Sequence, residues 1–187
     1  WLTLEEAGEW AWTLQKTGHF DASWDVVQTL ELQSGKSKVA KKWIEDNYAS
    51  IAWRTWHFSE YVAFHKKNYA KSPTPQIAWR IFRGYVKGGD WKNASDWGEK
   101  MSSKYPRNSK WKSSKETRAR VEMYRREYGK AGAIWSTLNN RKGKFYTGFC
   151  DLMAGDTING IAKLDKIGGS SDQWRIAAKY WSGKAKF

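Results

Sequence analysis

The sequence predicts an all-α fold, antiparallel helix pairs stacked as an α-solenoid, and three observations carry that prediction. Apolar residues recur at spacings of three and four along most of the chain, the mark of helices with one buried face; Ile77, Ala78, Ile81, Phe82, Tyr85 and Val86 form one such face. Glycine turns separate these stretches at Thr17-Gly18, Gly88-Gly89, Ala154-Gly155 and Gly168-Gly169, and glycine supplies the left-handed conformation that closes a helix. No stretch shows a sustained strand-like alternation bounded by hairpin turns. The core is an aromatic one. Hydrophobic residues make up only 40% of the 187 residues, but 14 Trp, 9 Tyr and 7 Phe are among them. Each buried aromatic removes about 150–250 Å² from water, and a chain this rich in aromatics is not a disordered one.

The periodicity places helices at 3–16, 20–33, 37–47, 49–70, 75–87, 90–103, 114–127, 130–139, 143–153, 157–166 and 171–183. The first carries Glu5-Glu6 in its opening turn, where acids complement the helix dipole. The third starts in the lysine cluster Lys36, Lys38, Lys41 and Lys42, and the fourth reads as one long helix. Two of the three prolines fall in Lys71-Ser72-Pro73-Thr74-Pro75 and break the chain there. After Gly88-Gly89 and Ala154-Gly155, Asp90 and Asp156 are placed to cap the next helix. Val121, Tyr124 and Tyr128 form another apolar face. One helical-repeat domain is expected over 1–187, with a sub-break at 71–75.

The turns repeat. Gly18, Gly89 and Gly155 are separated by 71 and 66 residues, each close to twice a unit of about 34. Gly129 falls near one midpoint, and no counterpart is visible near residue 53. The window 75–108 resembles a tetratricopeptide repeat: Trp79, Ile81 and Tyr85 precede the turn, Gly89-Asp90-Trp91 forms it, Ala94 is the small residue of the second helix, and Pro106 stands at the end. Phe82 departs from the pattern where a small residue belongs, and its bulk is expected to force the helices apart or shift the register. The turns at Gly18, with Trp10-Ala11, Leu14, Phe20 and Ser23, and at Gly155, with Gly148, Asp156 and Gly160, match in part; 127–135 looks like a shortened turn. The resemblance implies a groove lined by the first helix of each pair, and a protein or peptide in it. The tail 171–185 is also similar to segments of the helical superhelix of soluble lytic transglycosylases, which would make the chain an envelope domain tied to peptidoglycan. The related half-a-TPR repeats are tryptophan-rich, basic and found in RNA-processing assemblies.

The formal net charge is +14, from 33 Lys and Arg against 19 Asp and Glu, which draws in anionic partners. The charge concentrates at 104–130, where Lys104, Arg107, Lys110, Lys112, Lys115, Arg118, Arg120, Arg125, Arg126 and Lys130 face only Glu116, Glu122 and Glu127. Tyr105, Trp111, Tyr124 and Tyr128 interleave. Cations with aromatics hold single strands by phosphate contact and stacking; the same composition also describes a solvated face beside an aromatic core, to which these aromatics are assigned. Lys104, Arg107, Lys112, Arg118, Arg120, Arg125, Arg126 and Trp111 are the candidate partner-binding residues.

No catalytic residue, metal or cofactor is expected. His19, His57 and His65 lack the four-residue spacing that sets two zinc ligands on one helix face. His19 reads as exposed, and His57 and His65 as the polar edge of one long helix. Cys150 has no base beside it to make it a nucleophile, and no apolar run approaches the roughly 20 residues of a membrane span. The expectation is a non-catalytic scaffold for a protein or peptide, with peptidoglycan or RNA as the competing partners and a lean towards the bacterial periplasm.

Overall fold

In the computed structural model, which describes residues 2–168 and 172–186, all regular structure is helical. The helices are α1 (Leu4–Lys16), α2 (Phe20–Gln33), α3 (Lys38–Arg54), α4 (Phe58–Lys71), α5 (Pro75–Lys87), α6 (Trp91–Lys104), α7 (Ser109–Ser113), α8 (Lys115–Tyr124), α9 (Tyr128–Ser136), α10 (Arg141–Met153), α11 (Thr157–Asp165) and α12 (Gln173–Ala185). Neighbouring helices pack in pairs, a solenoid-like all-α arrangement. The chain divides into two compact units, Trp1–Asp90 and Trp91–Phe187. Gly169 of the expected Gly168-Gly169 turn, and residue 171 at the expected start of the last helix, lie outside the described residues.

Five turns with one backbone geometry organise the chain. Gly18, Trp56, Gly89, Arg126 and Gly155 all have positive φ, at 85°, 63°, 73°, 62° and 89°. In each, the amide of the next residue donates to the carbonyl five positions back: His19 to Leu14, His57 to Ala52, Asp90 to Tyr85, Glu127 to Glu122 and Asp156 to Asp151, over 2.8–3.0 Å. This is the six-to-one bond of a Schellman closure. The closures follow one another after 38, 33, 37 and 29 residues.

Two of them correct the sequence reading. The expected helices 37–47 and 49–70 are Lys38–Arg54 and Phe58–Lys71, because the missing turn is at Thr55-Trp56-His57 and carries no glycine. Left-handed backbone costs a side-chain-bearing residue about 1–2 kcal/mol. Here the turn is held by Thr55 Oγ1, which donates to the Ile51 carbonyl at 2.9 Å and lies 2.9 Å from His57 Nδ1. The Trp56 ring leans on Phe20 at 5.3 Å. The midpoint expected at Gly129 is at Arg126, and Gly129 lies inside α9.

In the first unit, Ser23 is fully buried and its Oγ donates to the Ala11 carbonyl at 2.7 Å, fastening α2 to α1. Five residues after the closure, Ser23, Ala94, Ala131 and Gly160 are small, whereas Tyr61 is large. Gly84 makes room for it: a Cβ there would lie 2.5 Å from Val62 Cγ2 and 2.9 Å from Tyr61 Cδ1. Phe82 does not shift the register; it is fully buried, seven residues before its closure, as Ala11, Ala49, Ala119 and Gly148 are before theirs. The prolines at 73 and 75 fall in the break between α4 and α5, as expected: Thr74 caps α5, accepting from the Ile77 amide at 3.3 Å, and Pro75 opens it.

The second unit has two aromatic clusters. Ala119, Ala131, Trp135 and Cys150 form one, with Tyr146 stacked on Trp135 at 4.5 Å. Phe145, Leu164, Ile167 and Ala178 form the other. Asp172 caps α12 through the amides of Trp174 and Arg175 and pairs with Arg141 at 2.5 Å. Asp156 caps α11 as expected, accepting from Asn159.

Candidate functional site

The break at Trp56 places α3, α4 and α5 so that a cleft of about 500 Å³ opens between them in the first unit. Helix α3 presents Glu45, Asp46, Ser50, Trp53 and Arg54 to it, and α5 presents Ile77, Arg80 and Arg83. Spacings of three and four put each set on one face of its helix. Tyr61, Phe64, His65 and Asn68 of α4 complete the lining.

The charges of this cleft are uneven. Asp46 is engaged by Lys42 of its own helix at 3.6 Å, an exposed pair of the kind worth at most about 1 kcal/mol. Arg80, Arg83 and Arg54 are exposed, and among the described residues none has a carboxylate partner. The Arg83 guanidinium lies over the Trp53 ring at 4.7 Å, and Arg54 over Trp12 at 5.7 Å. Trp53 is held from behind, 5.3 Å from Phe58 and 5.0 Å from Tyr61.

His65 is the unusual member. It is 2% exposed. The rings of Tyr61 and Phe64 meet it edge to face at 4.4 and 5.5 Å, and its Nδ1 has no hydrogen-bond partner. Burial first, and the Arg80 charge second, pull its pKa down to about 4, so the ring is neutral at physiological pH. The polar-edge placement expected from the sequence is corrected: with the helix starting anew at Phe58, Tyr61, His65 and Tyr69 fall one turn apart on the inward face. His57 stands just before that helix, makes no capping bond to it with its side chain, and stacks on Trp24 at 4.2 Å.

The basic segment of the second unit is split by packing. Trp111 is 3% exposed, its Nε1 donating to Ser102 Oγ at 3.1 Å. Buried to that degree, it offers no face to a base or a sugar. Arg118 lies over the Trp111 ring at 4.1 Å and also donates to Ser102, at 2.7 Å; burial lowers its pKa. Arg125 is committed to buried Glu122 at 2.9 Å and to Ser95 at 2.7 Å, and Ser95 itself donates to Glu122 at 2.6 Å. Lys104, Arg107, Lys112, Arg120 and Arg126 are exposed, with Lys104 5.7 Å from the Tyr105 ring. Tyr124, expected in the core, is 63% exposed and stacks on Trp91 at 4.4 Å. The structure thus leaves five of the eight sequence-predicted site residues on the surface and commits Trp111, Arg118 and Arg125 to internal contacts.

Nucleophilic chemistry has no footing at Cys150: it is 1% exposed, and burial, with Asp151 adding to it, pushes the thiol up to about 12. No group of three His, Cys, Asp or Glu side chains is gathered to hold a metal among the described residues, and no helix there is long and apolar enough to cross a membrane. A larger recess of about 720 Å³ between α2, α3 and α4 balances Glu31, Glu45 and Glu60 against Lys41, Lys67 and Lys71. The sequence reading singled out none of the cleft's arginines. Their only signal was the three-residue spacing of Arg80 and Arg83 at the polar edge of α5. Compared with protein families and with characterised proteins, the chain matches none.

Proposed function

We propose that this chain is a non-catalytic helical-repeat scaffold of tetratricopeptide-repeat type, and that it holds a segment of a protein or peptide partner in the cleft between α3 and α5. The observation supporting this reading is the cleft itself. Helices α3 and α5 flank an open groove that combines an aromatic wall with exposed guanidiniums. Groups of this kind bind through burial, stacking and charge-assisted hydrogen bonds.

The RNA reading drew on cations interleaved with aromatics at 104–130, and burial of Trp111 removes one of the stacking groups it needed; the peptidoglycan reading drew on the likeness of 171–185 to a helical superhelix. The test is selection of random twelve-residue peptides on the wild-type chain and on Ser50→Trp, which fills the cleft from an exposed position of α3. Peptides enriched on the wild type and lost on Ser50→Trp are the expected result. Single-stranded RNA binding that falls steeply with salt, or pelleting with purified peptidoglycan, in the absence of any peptide selection, would replace this reading.

A further inference from the structure

The charge of the cleft narrows what it can hold, on the premise that it is a peptide groove at all. We infer that the cleft selects an acidic segment, an Asp or Glu side chain seated at Arg80 and Arg83 with an apolar neighbour against Trp53.

Two features point the same way. Arg80 and Arg83 lie one turn apart on the face of α5 that lines the cleft, exposed, and neither has a carboxylate partner among the described residues. Guanidiniums match a carboxylate with a planar, bidentate fork. Arg83 is held over Trp53, so its position is set before any ligand arrives and less side-chain entropy is lost on binding.

The other end of the cleft separates a peptide from a nucleic acid. Glu45 and Asp46 line it too. Asp46 and Arg54 are eight residues apart on α3, about 12 Å along the axis at 1.5 Å per residue. A nucleic-acid strand, with a phosphate at every nucleotide, would press one of them towards those carboxylates. A peptide can place its acid at the arginines and leave a neutral or basic residue at the acidic end.

The experiment sequences the twelve-residue peptides selected by the wild type, by Arg80→Gln/Arg83→Gln, and by Lys36→Gln/Lys38→Gln. The last removes the same charge from exposed positions outside the cleft. The wild type and the lysine variant should enrich Asp and Glu next to an apolar residue. The arginine variant should lose at least tenfold in affinity for those peptides, measured by fluorescence anisotropy in physiological salt. Replacing the peptides' acids by their amides should produce the same loss on the wild type. Enriched peptides without an acidic bias would overturn this inference and leave the peptide scaffold standing. Acidic peptides bound equally by the arginine variant would assign them to the general positive charge and overturn it too. No enriched peptide at all would remove both readings.

Discussion

His65 carries a proton-linked instability whose size follows from its burial. Its pKa is about 4 in the folded chain against an ordinary value of 6.5, so below pH 6.5 the unfolded chain binds a proton that the folded chain does not. A group depressed in this way contributes its full stability above the unfolded value, and that stability is lost as pH falls from 6.5 towards 4. Linkage over this interval gives a loss of about 2 kcal/mol between pH 7 and pH 5 from this one side chain. Other groups titrate in the same range, so the measurement is a difference. Urea unfolding, followed by tryptophan fluorescence, is compared for the wild type and His65→Phe at pH 7, 6 and 5. Phenylalanine keeps a ring between Tyr61 and Phe64 and has no nitrogen to leave unpaired. At pH 7 the variant should be at least as stable as the wild type, because an unsatisfied buried polar group costs about 1–3 kcal/mol. Its advantage should then grow by about 2 kcal/mol on going to pH 5. Parallel curves for the two proteins would refute the reasoning. The imidazole would then be solvated or paired.

Four further outcomes test the rest of the fold. Gly18→Ala has open space around the new Cβ but a φ of +85°, so thermal unfolding should show a loss of about 1 kcal/mol from backbone strain alone; Arg126→Gly should move the other way by up to about 1 kcal/mol. Arg125→Ala leaves Glu122 buried without its cation and should cost about 3 kcal/mol in urea unfolding. Cys150 should stay unlabelled by iodoacetamide at pH 8 in the native chain and react fully in urea, since the thiolate is the nucleophile and burial keeps this group a thiol.

Helical content and most helix ends were legible because they depend on local terms: periodicity, glycine at Gly18, Gly89 and Gly155, and the cap at Asp156. The turns at Trp56 and Arg126 were not. Both residues occupy a conformation that local preference disfavours, and neighbours distant in sequence or the closure bonds themselves hold them there. Missing the first turn put the helix break near residue 48 and ran the helix expected at 49–70 through Thr55-Trp56-His57, which turned His65 to the wrong face and hid the cleft.

The sequence by itself determined an all-α chain of amphipathic helices with an aromatic core and a large positive charge, because composition and a period near 3.6 are properties of the chain alone. Only the tertiary structure decided which charges are spoken for. Trp111 and Arg118 pack on each other, Arg125 is drawn to Glu122, and Arg80 and Arg83 are left exposed beside a buried histidine. Whether a cation meets a ring, a carboxylate or water depends on which helices are brought against it, and no spacing along the chain carries that.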